Sequence, residues 1–173
     1  MVLGLDASTS VVGYAFVDGD EVHEIGFIDL KKVTDIDKKA VYAYEELLEN
    51  DLYKQVSSIC IEDSLSGFAR GRTSVQTIIK LAKFNAVLCF ILGWGNDFKV
   101  HSVNPATARK AVFGKSRVKG IPAKEFVQTE IEKRYDLSEW IQYTTRGNFD
   151  KKNIDAYDAL VVALYQTTTM AKK

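Results

Sequence analysis

The first thirty residues are written in short apolar runs. VLGLDA at 2–7, VVGYAFV at 11–17 and VHEIGFID at 22–29 have strand-like lengths, and the breaks between them, STS and DGDE, are made of turn-forming residues. Three strands joined this tightly predict an antiparallel meander. The period then changes. Ile36, Ala40, Ala43, Tyr44, Leu47 and Leu48 recur at helical spacing and predict a helix over 35–53, followed by a strand at 57–62. A second helix, over 73–92, begins amphipathic and turns apolar on nearly every side after Asn85. A helix of that kind needs cover all round. Either it threads the core between the sheet and outer helices, or it supplies a subunit interface. A strand at 99–103, a short helix near 105–112, and helices at 123–135 and 153–168 complete the pattern.

A meander followed by alternating helices and strands predicts an α/β layer fold, with one mixed five-stranded sheet and helices on both faces. This is the ribonuclease H-like order of elements. At 173 residues and 46% hydrophobic composition, the chain has the size and apolar content of a single domain spanning 1–173. Its longest unbroken apolar stretch, at 86–94, falls short of the roughly 18 residues that cross a bilayer. MVLGLDAS carries no basic segment leading into an apolar one. The expectation is a cytoplasmic protein with no membrane partner. Cys60 and Cys89 stand apart among hydrophobes, without zinc-site spacing, and are expected to be reduced core thiols.

Net charge is zero, but the charges are segregated. Residues 64–124 hold eleven Lys or Arg and one acid, whereas residues 18–63 hold thirteen acids and five bases. A polyanion responds to local cation density, because each neutralised phosphate releases counterions. A basic half can therefore bind nucleic acid within a neutral molecule. Lys115, Arg117 and Lys119 in RKAVFGKSRVKG are expected on an exposed loop, as candidate phosphate contacts.

Four acids sit where apolar patterning would bury them: Asp6 and Glu62 at strand ends, and Asp155 and Asp158, three apart, on one face of the last helix. A carboxylate in such a place must be hydrogen-bonded, protonated or bound to a cation. Hard oxygen donors suit Mg2+, and two such ions about 3.5–4 Å apart can drive in-line displacement at phosphorus. We therefore expect Asp6, Glu62, Asp155 and Asp158 to hold two Mg2+ per active site, with Mn2+ able to substitute. Two alternatives stay open. Asp63 points away from Glu62 on the strand, and only one of them can face the site. Asn153 reads as an N-cap, so helix capping competes as the reason for Asp155, and explains Asp158 less well. No Gly-x-Ser-x-Gly elbow offers a covalent nucleophile. His23 is expected at or near the surface; His101 is either a core residue or close to the site, and is unassigned.

GLDASTSVVGYAFV, CIEDS, NPATARKAVFG and DAYDALVVALY, in that order and over nearly the whole chain, resemble the RuvC-type Holliday-junction resolvases. The resemblance implies that the four acids are the metal-binding tetrad. It also implies a homodimer that cuts opposed strands of a four-way DNA junction. Arg109, in place of the usual Lys, and Lys124 match the family's basic positions beside the site. One departure is that the family's aromatic near the junction centre follows the catalytic Glu shortly, whereas Phe68 lies several residues further along than that. Phe68 lies in SLSGFARGR, a glycine-containing basic segment with Arg70 and Arg72, and either stacks on unpaired bases or anchors the loop. Arg146, with Lys151 and Lys152, lies in a segment expected to approach the substrate. Within that resemblance, so compact a chain is expected to be a phage or mobile-element version.

Two other readings compete. One is a ribonuclease H-like nuclease acting on RNA or on branched DNA in general. The other is an actin-like phosphotransferase, since DASTSVVGYAF also resembles that group's first phosphate loop; a single domain's length argues against it.

Overall fold

The computed structural model describes residues 1–63, 74–94 and 99–171. Strand β1 (Val2–Ala7) alternates across the sheet, with Leu3, Leu5 and Ala7 in one core layer and Val2 in the other. Its antiparallel neighbour β2 (Val11–Asp18) turns tightly into β3 (Glu21–Asp29), giving the expected meander. Helix α1 (Ile36–Glu49) and a 3₁₀ turn (Asp51–Gln55) then carry the chain to β4 (Ser58–Glu62), parallel to β1 on its other side. Beyond it, β5 (Val100–Val103) pairs parallel to β4. The sheet order is β3-β2-β1-β4-β5, so β1 is the central strand. The remaining helices are α2 (Val75–Trp94), α3 (Pro105–Phe113), α4 (Ala123–Glu132) and α5 (Asn153–Met170).

The expected helix over 35–53 stops at Glu49. The Asn50 side chain accepts a hydrogen bond from the Leu52 N–H at 2.9 Å, which restarts the chain as the tighter 3₁₀ turn. The two faces of the sheet bury separate cores. Leu3, Leu5, Phe16, Ile59 and Ile61 pack with α1 and α2, while Val2, Ala15, Val17 and Cys60 pack with α3, α4 and α5.

Helix α2 does not thread the core, one of the two places expected for it. It buries Phe84, Leu88 and Leu92 on one side, and leaves Val75, Ile79, Phe90 (61% exposed) and Trp94 (80% exposed) on the other. By length and composition it is also apolar enough to cross a membrane, contrary to the count of unbroken runs. Lys80 and Lys83 interrupt the run without offsetting the apolar residues around them. The helix buried all round is α5, in which every residue at 156–164 is buried.

Candidate active site

In the parallel register of β1 and β4, Leu5 stands beside Ile61; one step further sets Asp6 beside Glu62 at the C-terminal ends of both strands. Alternation decides between Glu62 and Asp63. Cys60 faces the α5 layer, so Glu62, two residues on, faces it too. Asp63 lies just past the strand and donates its N–H to the Val103 carbonyl at 2.8 Å; both Glu62 and Asp63 border a cavity of about 230 Å3 against Ala82, Asn85, Ala86 and Cys89 of α2.

Helix α5 brings the other two acids down onto this pair. It lies almost in contact with the sheet backbone, over two glycines. A Cβ at Gly4 would fall 2.3 Å from the Ala159 carbonyl oxygen, and one at Gly13 would fall 2.1 Å from that of Asp155. The hydrophobic and acidic patterns single out neither glycine; the signal available was a glycine inside an otherwise apolar strand.

The four acids feel one another. Burial, then repulsion from Glu62, Asp158 and Asp155, holds the Asp6 carboxyl well above the usual range. Glu62 is pushed up to about 7 by burial and then by Asp158, against the pull of Arg109 and Lys124. Asp158, 4% exposed, is raised by burial although Arg109 and Lys124 oppose it. Both basic positions reach the cluster. Lys124 of α4 donates to Asp155 Oδ1 at 2.7 Å, and Arg109 of α3 stands 3.6 Å from Asp158 Oδ1. Burial lowers the Lys124 pKa, but the Asp155 hydrogen bond and the surrounding carboxylates outweigh it and leave the ammonium above the ordinary lysine range.

This arrangement of elements has been seen before. The chain superposes on the Thermus thermophilus RuvC structure with a TM-score of 0.66 at 13% identity, over 99% of this chain and 96% of that one. It matches T. thermophilus RuvC in complex with Holliday junction substrate at 0.64 and 12% identity, over 98% and 94% of the two chains. It matches the yeast mitochondrial Holliday junction resolvase at 0.63 and 14% identity, over 99% and 79%. The chain has the RuvC fold. No protein-family model and no curated protein matches its sequence.

Within the RuvC fold the donor set fits a divalent cation in chemistry and charge. Four hard carboxylates face Arg109 and Lys124; burial first, and neighbouring carboxylates after it, raise Asp6, Glu62 and Asp158. The spacing is looser than a ready-made cage: among the described residues, no group of three or more His, Cys, Asp or Glu side chains stands at metal-holding distance.

The other candidates are more dispersed. Lys115, Arg117 and Lys119 are exposed on the loop between α3 and α4, as expected; Lys115 also lies 3.9 Å from Glu130 and over the Phe126 ring. Arg146 is exposed at the tip of a small hairpin closed by the Tyr143–Phe149 bridge. Lys152 differs from expectation: it is committed to Asp29 at 3.0 Å and Asp150 at 3.3 Å, and pins that segment to β3. Phe68, Arg70 and Arg72 lie outside the described residues.

Asn153 is not the N-cap. Lys152 holds that position without a side-chain bond, while the Asn153 amide clamps the Gln142 backbone, accepting its N–H at 3.1 Å and donating to its carbonyl at 2.7 Å. A tertiary partner outcompetes the local cap, and Asp155 is left to the acid cluster. His23 is half-buried, as expected. His101 lines a cavity with Ser57, Ser58 and Lys99 at the start of β4, the end of the sheet remote from the acids.

Proposed function

We propose that this chain is a crossover junction endodeoxyribonuclease: a divalent-metal-dependent enzyme that hydrolyses phosphodiester bonds in four-way or branched DNA. The observation that carries the reading is the convergence of Asp6, Glu62, Asp155 and Asp158, from a central strand pair and a buried helix, into one cluster of acids that outnumber the two cations beside them. A stability role alone gives no reason to bury acids that raise one another's pKa.

Asp6, Glu62, Asp155 and Asp158 would hold two Mg2+, or Mn2+ in their place. Once bound, such ions supply a nucleophile from water at neutral pH and offset charge on the departing oxygen. The chain's own residues do the rest. Arg109 and Lys124 sit within reach of the acids and present guanidinium and ammonium donors to the scissile phosphate, holding its charge and orientation. Lys115, Arg117 and Lys119 extend that positive surface along the α3–α4 loop, and Arg146 adds to it from the hairpin tip. Phe68, Arg70 and Arg72, which follow Glu62 closely in sequence, are the candidates for contacts to unpaired bases and to phosphate.

The exposed apolar side of α2, with Val75, Ile79 and the stacked pair Phe90 and Trp94, supports a homodimer in which two copies bury this face against each other. A two-fold axis would present two acid clusters to one junction. The structural likeness to RuvC in complex with Holliday junction substrate supports the choice of DNA.

Incubating the protein with four-way junctions, flaps, duplex and RNA–DNA hybrids, in Mg2+ and in chelator, tests the reading. Symmetric metal-dependent nicks confined to junctions are expected. Indifference to branching would move the assignment to a ribonuclease H-like nuclease of broader specificity, and tight ATP binding without cleavage would revive the phosphotransferase.

A further inference from the structure

We infer that Gly13 is a positioning residue for the acid cluster: its missing side chain sets how closely the first turn of α5 approaches β1, and therefore how near Asp155 and Asp158 come to Asp6. The inference rests on the nuclease reading above. Gly13 is the direct cross-strand partner of Asp6 in the β1–β2 ladder. The same residue lies under α5, where a Cβ would stand 2.1 Å from the Asp155 carbonyl oxygen, 2.2 Å from its carbonyl carbon and 2.7 Å from the Ala156 nitrogen. One residue thus touches the strand acid sideways and the helix acid from below.

The obstacle a side chain would meet is main chain, which cannot swing aside as a side chain can. Restoring ordinary contact after adding a methyl requires α5 to rise by roughly 1.5 Å. Backbone conformation does not demand glycine here, since Gly13 is absent from the positive-φ glycines, which are Gly19, Gly114, Gly120 and Gly147 among the described residues. The requirement is one of space. Gly4 supplies the control. It seats the same helix further along, where a Cβ would stand 2.3 Å from the Ala159 oxygen, 2.6 Å from the Ala163 nitrogen and 2.8 Å from the Ala163 Cβ. A lift at Gly4 is centred a turn or more past Asp155 and reaches Asp158 only from its C-terminal side.

The test compares G13A with G4A. Both should lose stability in chemical denaturation. Only G13A should bind Mn2+ and Mg2+ at least ~10-fold more weakly by calorimetry and cut four-way junctions with kcat about 100-fold down, its KM and metal-free junction binding staying within about 2-fold. Adding D155E lengthens the donor arm. It should recover at least ~3-fold of metal affinity in the G13A background while weakening metal binding in the wild-type chain, a sign reversal that a general loss of stability does not produce.

If G13A is unfolded in plain buffer, the same titrations run in trimethylamine oxide, which favours the folded state. A G13A chain that stays unfolded there, or that folds and matches wild type in metal affinity and kcat, overturns the inference; so does a G4A chain that loses metal affinity as much as G13A. Failure of wild type itself to bind metal or to cut would instead overturn the nuclease reading, which separates the two.

Discussion

Helices α2 and α5 are both apolar on nearly every side and lie on opposite faces of one sheet, yet they are used differently. Helix α5 crosses β1 and β2 at the middle of the sheet and is covered by α3 and α4, so it is buried all round over 156–164. Helix α2 lies against α1 and β5 with its outer side open. The difference arises from the partner surface. Gly4 and Gly13 in the strands, matched by Ala156, Ala159 and Ala163 on the helix, let α5 settle onto backbone, and no comparable seat is seen under α2 among the described residues. Close approach in turn lets α5 bring Asp155 and Asp158 to the ends of β1 and β4, beside Asp6 and Glu62.

The largest effect is expected at the acids. D158N, or D6N, should lower kcat on junctions by on the order of 1,000-fold or more while metal-free junction binding is kept or tightened, since repulsion of phosphate is removed. Wild-type cleavage by D158N would return α5 to a purely structural role.

Core truncation comes next. Leu160→Ala in α5 should cost about 2–5 kcal/mol in urea unfolding, against about 0.5 kcal/mol or less for Phe90→Ala in α2, measured at concentrations where the monomer prevails. The α2 substitution should show itself instead in sedimentation, as a weaker dimer. Equal losses in stability would mean that the two helices are buried alike.

The pH dependence sharpens the comparison further. Glu62 has a folded pKa raised from 4.5 to about 7, so the stability linked to its proton is present below pH 4.5 and is lost as pH rises through about 7. Without metal, E62Q should therefore melt higher than wild type at pH 8, with a gain of at most roughly 3 kcal/mol, and the advantage should vanish below pH 5. Saturating Mg2+ should stabilise wild type at pH 8 and leave E62Q little changed. A flat profile for the metal-free wild type would show that Glu62 ionises without strain.

The smallest effect belongs to the loop. Removing Arg117 or Lys119 should weaken junction binding across all sequences and reduce the salt slope by about 0.9 for each phosphate no longer neutralised. An unchanged slope would place the DNA elsewhere.

Much of the architecture was legible in the chain because local periodicity carries it. The meander shows in alternating runs broken by DGDE, and the mixed order of the sheet follows from helices separating β3, β4 and β5. Asp6, Glu62, Asp155 and Asp158 stood out because each is charged where patterning predicts burial. What was not legible depended on contacts distant in sequence. Asn153 has the composition of a cap and serves as a clamp on Gln142, and Lys152, a basic residue in a candidate substrate segment, is taken by Asp29. Helix α2 and helix α5 could not be ranked by hydrophobicity, because that quantity says a surface needs cover and not which neighbour provides it.

The amino-acid order by itself determined the kinds of elements, the opposed charge of the two halves and the identity of the acids, since these depend on residue type and near-neighbour spacing. Only the tertiary structure decided that Glu62 rather than Asp63 faces α5, that Arg109 and Lys124 reach the same cluster, and that α5 lies close enough for its acids to join Asp6. Those outcomes depend on angstrom-scale packing between residues up to about 150 positions apart in the chain, Asp6 and Asp158 among them, and shape complementarity at that range is set by the assembled core rather than by any local run.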